Sequence, residues 1–255
     1  MTLYARKIVL RNCGRFTVIQ SDFGADYRTH THVTSEALYA SLTRGVTWQP
    51  KPIVVKNDAD DFVRDYNPSA LPIWFTPGIF LDKDGKSQLA QDTFDTAYFN
   101  VLHEAYPTTS KSYGYAKTGI LEEQSRPHHT PTYGTWQGIK PDNRLFTCAF
   151  SPDIRLLEAF TIGQTFLLGK KRTMMQIIHV EEIVEGKAGV GSCTTPFLQV
   201  STTGIALFQS FEVMAGTIKY LIMRGITQPR TKHVQFGEHL AIPVFAIPAY
   251  MEYIE

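Results

Sequence analysis

Apolar and polar residues alternate along the N-terminal segment of the chain, from Leu3 to Leu10. A period of two is typical of a β-strand with one buried face. Further runs of apolar, aromatic and β-branched residues predict strands over residues 16–19, 71–75, 78–81, 145–150, 164–168 and 173–180. The C-terminal third, rich in Val, Ile, Thr and Phe, is also expected to form mostly strands.

Helix signals are fewer. Thr34 or Ser35 is expected to cap a helix that begins at the following residues and ends near Gly45. A short helix is predicted over residues 153–160, and a longer one over residues 93–106, where apolar side chains recur at helical spacing. The pattern therefore predicts an α+β fold dominated by sheet.

Between residues 107 and 143 neither period is present, and we predict a long loop within one domain that spans residues 1–255. A loop of this length is usually functional or disordered. Its aromatic side chains are interleaved with cations and histidines, a composition that suits stacking on unpaired bases. The alternative is a loop that is disordered or covered by a partner protein. The candidate nucleic-acid-binding residues are Lys111, Tyr113, Tyr115, Lys117, Arg126, His128, His129, Tyr133 and Trp136.

The overall charge is close to zero, with 25 Lys and Arg against 24 Asp and Glu in 255 residues. This balance excludes a histone-like basic coat. Residues 108–172, however, carry 9 basic and 5 acidic side chains, a net +4, whereas both flanks are slightly acidic. Such a distribution fits a component that contacts nucleic acid on one face and protein on others.

The densest basic cluster is Gly169, Lys170, Lys171 and Arg172, between two predicted strands. Glycine allows the backbone to approach a phosphate closely, and three adjacent cations favour a polyanion. The alternative is a solvated hairpin tip.

The sequence offers little support for catalysis or metal binding. His30-Thr31-His32 and the adjacent His128 and His129 lack the spacing of known metal sites, and no nucleophile elbow or phosphate-binding glycine loop occurs. No cofactor is expected. His128, His129 and Tyr133 are the residues that a metal-independent ribonuclease would use as general acid and base.

The cellular setting is predicted from three observations. Cys13, Cys148 and Cys193 are odd in number and widely spaced, which argues against a disulfide framework. No apolar run reaches 18 residues, and the N-terminus lacks the apolar core of a secretory signal. We therefore expect a cytoplasmic protein with no membrane partner.

The order of these features resembles a known family. The first strand is followed by Asn12 and Phe16, then by Gly24-Ala25-Asp26-Tyr27 and the helix over residues 36–42, and later by Asp92-Thr93-Phe94 and by Leu167-Leu168-Gly169-Lys170-Lys171. This succession resembles the small Cas-five-type (Csc-one-like) subunit of the type I-D CRISPR interference complex (Cascade).

The resemblance implies a RAMP fold, ferredoxin-like and similar to the RNA-recognition motif, with a long inserted loop or thumb hairpin. It implies a non-catalytic subunit that binds the 5′ handle of the guide crRNA, caps the backbone of the complex and helps to recognise the target-flanking motif (PAM) in double-stranded DNA. The implied protein partners are a large Cas-ten-type subunit and a Cas-seven-type backbone subunit.

The RNA contacts expected from the resemblance are Gly169, Lys170, Lys171 and Arg172, which match the family's Gly-Lys segment. Arg28, His30 and His32 are further candidates, whose alternative role is packing near the first helix. Two other functions remain open at this point: an endoribonuclease that processes guide RNA precursors, and a β-rich interaction protein that binds no nucleic acid.

Overall fold

The computed structural model describes residues 2–23, 26–46, 71–82, 89–100, 133–168, 173–216, 220–248 and 251. These residues form mostly strands: β1 Tyr4–Asn12, β2 Ile19–Phe23, β3 Asp26–Thr29, β4 His32–Val33, β5 Trp74–Phe75, β6 Gly78–Leu81, β7 Phe94–Asn100, β8 Tyr133–Ile139, β9 Arg144–Ser151, β10 Thr165–Leu168, β11 Thr173–Val180, β12 Val184–Val190, β13 Leu198–Ser201, β14 Phe208–Gly216, β15 Tyr220–Thr227, β16 Lys232–Phe236 and β17 Leu240–Pro243. The α-helices among them are α1 Ser35–Val46 and α2 Ile154–Glu158.

The centre of the molecule is an antiparallel sheet in the order β11–β1–β9–β6. The helix α1 lies between β1 and β6 in the chain, and α2 lies between β9 and β11. The strands β12, β16 and β17 extend this sheet beyond the first residues of β1. Two smaller sheets have the orders β2–β3–β8–β7 and β13–β15–β14. The prediction of a β-rich α+β fold is confirmed.

The two faces of the central sheet differ in what covers them. Ile8 and Leu10 of β1 pack with Leu38 and Leu42 of α1 in one core cluster, so the helices cover this face. On the opposite face, Ala5 of β1 packs in a second core cluster together with residues of the C-terminal strands. Because neighbouring residues of a strand point to opposite faces, Lys7 and Val9 lie on this second face as well.

The helix boundaries follow from local capping. The Ala37 backbone N–H donates to Thr34 Oγ1 at 3.4 Å, which fits the predicted cap of α1. The Asp153 side chain accepts from the Arg155 N–H at 3.0 Å and caps α2. Among the described helices, none has the length and apolar character needed to cross a membrane.

Two sequence predictions are corrected. The helix predicted over residues 93–106 is wrong in its first half, because Phe94–Asn100 forms β7. The end of the predicted loop, residues 133–139, forms β8, which pairs with β7 along its whole length from Phe94↔Ile139 to Asn100↔Tyr133. The ladder of hydrogen bonds to a partner strand outweighs a weak helical periodicity. Residues 101–132 lie outside the described residues.

Candidate nucleic-acid interface

Most residues that the sequence singles out for RNA contact lie outside the described part of the chain. This applies to Gly169, Lys170, Lys171 and Arg172, whose flanking residues Leu168 and Thr173 are paired partners in the β10–β11 hairpin. It also applies to Lys111, Tyr113, Tyr115, Lys117, Arg126, His128 and His129. Their roles stay predictions.

The two aromatic residues at the end of the predicted loop belong to β8. Tyr133 is opposite Asn100 in the β7–β8 ladder. Trp136 is half-buried, and the Arg15 guanidinium lies 4.9 Å from its ring centroid. Arg15 also forms an ion pair with Asp95. Trp136 is therefore part of a packed cation–π contact within the sheet.

The histidines near α1 are close together but weakly suited to phosphate binding. The rings of His30 and His32 lie 4.3 Å apart, and His32 is 4% exposed. Burial, followed by the nearby His30, lowers the pKa of His32 to about 4, and burial also lowers the pKa of His30. A neutral, buried ring offers no positive charge to a phosphate. Of the three residues predicted to contact RNA here, Arg28 is therefore the one that supplies a cation, and it is exposed.

A groove of about 840 Å³ lies on the face of the central sheet that the helices leave uncovered. Its floor is formed by β1, β6, β9 and β11. Its wall is the segment 194–197 together with Arg224 of β15. Among the side chains that line it are Lys7, Arg144, Phe146, His179, Phe197 and Arg224.

Cations outnumber carboxylates in this groove. Lys7, Arg144 and Arg224 line it, against the single carboxylate of Glu181. Lys7 Nζ lies 3.1 Å from Glu181 Oε1, and both side chains are about half exposed. An exposed pair of this kind is worth at most about 1 kcal/mol and separates readily when a polyanion competes. The groove therefore offers positive charge to a ligand.

Aromatic rings lie beside these cations. Phe146 is half-buried in β9, and Phe197 is 8% exposed on the wall. The Arg224 guanidinium lies 4.8 Å from the Phe197 ring centroid and is held by Glu212 Oε2 at 2.7 Å. The Phe197 ring is thus engaged within the protein, and Phe146 is the ring that the groove presents to a ligand. An accessible aromatic ring next to cations is the arrangement by which proteins bind single-stranded nucleic acids, since rings stack on bases and cations follow phosphates.

Three of the threonine hydroxyls that line the groove form hydrogen bonds within the protein. Thr147 Oγ1 donates to the Thr76 carbonyl at 2.8 Å, and Thr76 Oγ1 accepts from the Cys148 N–H at 2.9 Å. On the wall, Thr195 Oγ1 accepts from the Gly225 N–H at 3.1 Å. Because these three hydroxyls are engaged within the protein, contacts at their positions favour stacking and charge over sequence.

One cysteine thiol, that of Cys148, lines the groove. Burial raises the pKa of the Cys148 thiol to about 12, which keeps it protonated and a poor nucleophile. In the described part of the chain, no group of three or more His, Cys, Asp or Glu side chains could hold a metal ion.

Sequence reasoning missed this site, although part of its signal is local. Lys7 and Val9 in β1, and Arg144 and Phe146 in β9, alternate with buried residues and so mark one face of each strand. The contribution of Arg224 has no local signal, because it depends on how the sheet β13–β15–β14 packs onto the central sheet.

Comparisons with known proteins identify no family. No protein-family model matches the chain, and no curated protein matches it. Among the solved structures that match is a CRISPR protein from Archaeoglobus fulgidus, with a TM-score of 0.39 and 7% sequence identity, over 94% of this chain and 98% of that chain. A similarity at this level carries no argument about the function of the chain.

Proposed function

We propose that the protein binds single-stranded RNA in the groove on the open face of its central sheet, as a non-catalytic subunit of a type I-D CRISPR effector complex in the cytoplasm. The observation that carries the RNA-binding part is the combination of Lys7, Arg144 and Arg224 with the half-buried ring of Phe146 in one groove. The CRISPR part rests on the sequence resemblance.

The proposed fold is ferredoxin-like, as in the RNA-recognition motif. The strand order β11–β1–β9–β6, with α1 after the first strand and α2 after the third, supports this proposal because it follows the β-α-β-β-α-β succession. In RNA-recognition motifs the helices cover one face and bases stack on aromatic side chains of the other. Phe146, in the central strand β9, has the corresponding position on the uncovered face.

In the proposed complex the RNA is the 5′ handle of the guide crRNA. Residues 169–172 add a second contact to its phosphates, and residues 111–136 contact the handle or the PAM-containing duplex. The large Cas-ten-type subunit and a Cas-seven-type backbone subunit cover other surfaces. Guide pairing, rather than this subunit, would read the target sequence.

The test measures binding of a fluorescein-labelled single-stranded RNA by anisotropy. Removing one stacking ring costs about 1–3 kcal/mol per base, so Phe146→Ala is expected to weaken binding by about five- to 150-fold. The matched control is Phe211→Ala, which removes a half-exposed ring of β14 that does not line the groove. Equal affinities of the two variants, or no binding by the native protein, would refute the proposal.

The absence of catalysis is tested separately. Repeat RNA incubated with the purified protein without metal is expected to remain intact. Cleavage that is lost in His128→Ala or His129→Ala would favour the endoribonuclease instead.

A further inference from the structure

Two arginines face each other across the strands that form the floor of the groove. Arg11 of β1 is the register partner of Arg144 of β9. Residues directly opposite in an antiparallel pair share a face, with Cβ atoms about 4.5–5.5 Å apart. Gln176 and Leu81 continue this row on either side. Like charges in such a position destabilise a sheet unless an anion lies between them.

The protein itself neutralises this pair incompletely. Arg11 donates through Nη2 to Gln176 Oε1 at 2.7 Å, and its Nη1 lies 3.5 Å from Asp142 Oδ1. Its Nε is buried, with no hydrogen-bond acceptor among the described residues. Arg144 is exposed, and within the described residues its side chain has no ion pair. Of the two guanidinium groups, therefore, only that of Arg11 has a carboxylate partner among the described residues, the exposed side chain of Asp142.

A rigid turn holds this carboxylate in position. Asn12 is fully buried; its Nδ2 donates to the Lys140 carbonyl at 2.7 Å, and its Oδ1 accepts from the Asn143 N–H at 2.8 Å. The Asp142 N–H donates to the Asn12 carbonyl at 2.8 Å. The turn between β8 and β9 is thus fixed to β1, which sets the backbone of Asp142 relative to Arg11.

We infer that Arg11 and Arg144 form a binding subsite for one phosphate group of a single-stranded nucleic acid. This inference rests on the proposed function and specifies where the strand enters the groove. A guanidinium presents a planar fork that binds phosphate oxygens in pairs, so one phosphate bridges both side chains and removes their repulsion. Phe146 is two residues further along the same face of β9, about 7 Å away, where the base of that nucleotide stacks.

The first test compares the salt dependence of RNA binding by anisotropy. Arg144→Gln is expected to reduce the slope of log affinity against log salt by about 0.7, the contribution of one phosphate contact on a single strand. The matched control is Arg155→Gln, which removes an exposed arginine of α2 on the helix-covered side and is expected to leave the slope unchanged.

A second variant is expected to have the opposite effect on RNA affinity. Asp142 has a φ of 67°, a left-handed conformation that asparagine tolerates. Asp142→Asn therefore keeps the turn but removes the competing negative charge, and is expected to strengthen RNA binding about two- to fivefold at low salt. Unchanged or weaker binding would contradict the inference.

Inorganic phosphate provides a readout without RNA. It is expected to raise the melting temperature of the native protein more than that of Arg144→Gln. Equal shifts, or equal salt slopes for Arg144→Gln and Arg155→Gln, would overturn the subsite, whereas a retained effect of Phe146→Ala would leave the proposed function intact. If the native protein bound no RNA but phosphate still distinguished the variants, the proposed function would fail and the anion site would stand.

Discussion

Asn12 joins β1 to the turn before β9, and its replacement should reveal how much that junction contributes to stability. Three short hydrogen bonds depend on its side chain: to the Gly14 carbonyl at 2.9 Å, to the Lys140 carbonyl at 2.7 Å and from the Asn143 N–H at 2.8 Å. At a net value of about 1 kcal/mol each, Asn12→Ala is expected to lower the free energy of unfolding by about 3 kcal/mol.

Asn12→Asp isolates the electrostatic part of this junction. The introduced carboxyl still accepts from Asn143, but its other oxygen faces the carbonyls of Gly14 and Lys140. Only the protonated form donates to them, so its pKa in the folded state lies above the unfolded value of about 3.9. The stabilising contribution of the protonated form is complete below the unfolded pKa and is lost as pH rises through the folded pKa, at about 1.4 kcal/mol per unit of elevation.

The assay is urea unfolding at pH 5 and pH 8, followed by tryptophan fluorescence, to which the buried Trp74 contributes. Relative to the native protein, Asn12→Ala is expected to lose the same free energy at both pH values, whereas Asn12→Asp loses more at pH 8. A loss below about 1 kcal/mol for Asn12→Ala, or parallel pH dependence of the two variants, would refute this reasoning.

Three further predictions concern other parts of the chain. Gly225→Ala is expected to destabilise the protein by about 1–3 kcal/mol, because the added Cβ meets the Ser210 carbonyl oxygen and lies 2.9 Å from Phe211 Cα, both backbone atoms of β14. The control is Gly14→Ala, whose Cβ lies at an ordinary contact distance of 3.7 Å from Thr173 Cγ2. Equal melting temperatures of the two variants would contradict this prediction. His32 has a pKa of about 4 in the folded state and about 6.5 when unfolded. Its contribution to the free energy of unfolding is therefore complete above pH 6.5 and falls by about 2 kcal/mol by pH 5, because the unfolded state takes up the proton first. Melting curves of His32→Gln should lack this loss, and an unchanged pH dependence would count against it. Replacing residues 170–172 by alanine is expected to reduce the RNA salt slope by about 2, and an unaltered slope would exclude phosphate contacts there.

Local signals predicted much of the secondary structure. The alternation in β1, the capping residue before α1 and the apolar run in β9 each act over a few neighbouring residues, and these elements form where expected. The prediction over residues 93–106 failed in its described half because Phe94 and Ala97 fit a helix face as well as a strand. Only the presence of β8 as a partner decides between the two.

The sequence by itself determined which strand residues are charged or aromatic and, through alternation, that Lys7 and Val9 share one face. It also determined the basic character of residues 108–172. Tertiary structure decided which of these side chains meet. Arg11 is opposite Arg144 only because β1 and β9 pair in one register, and a shift of one residue would turn one side chain to the helix-covered face. Arg224 reaches the groove because the C-terminal sheet buries apolar residues against the central one. Contacts between distant segments depend on register and packing, which no local pattern encodes.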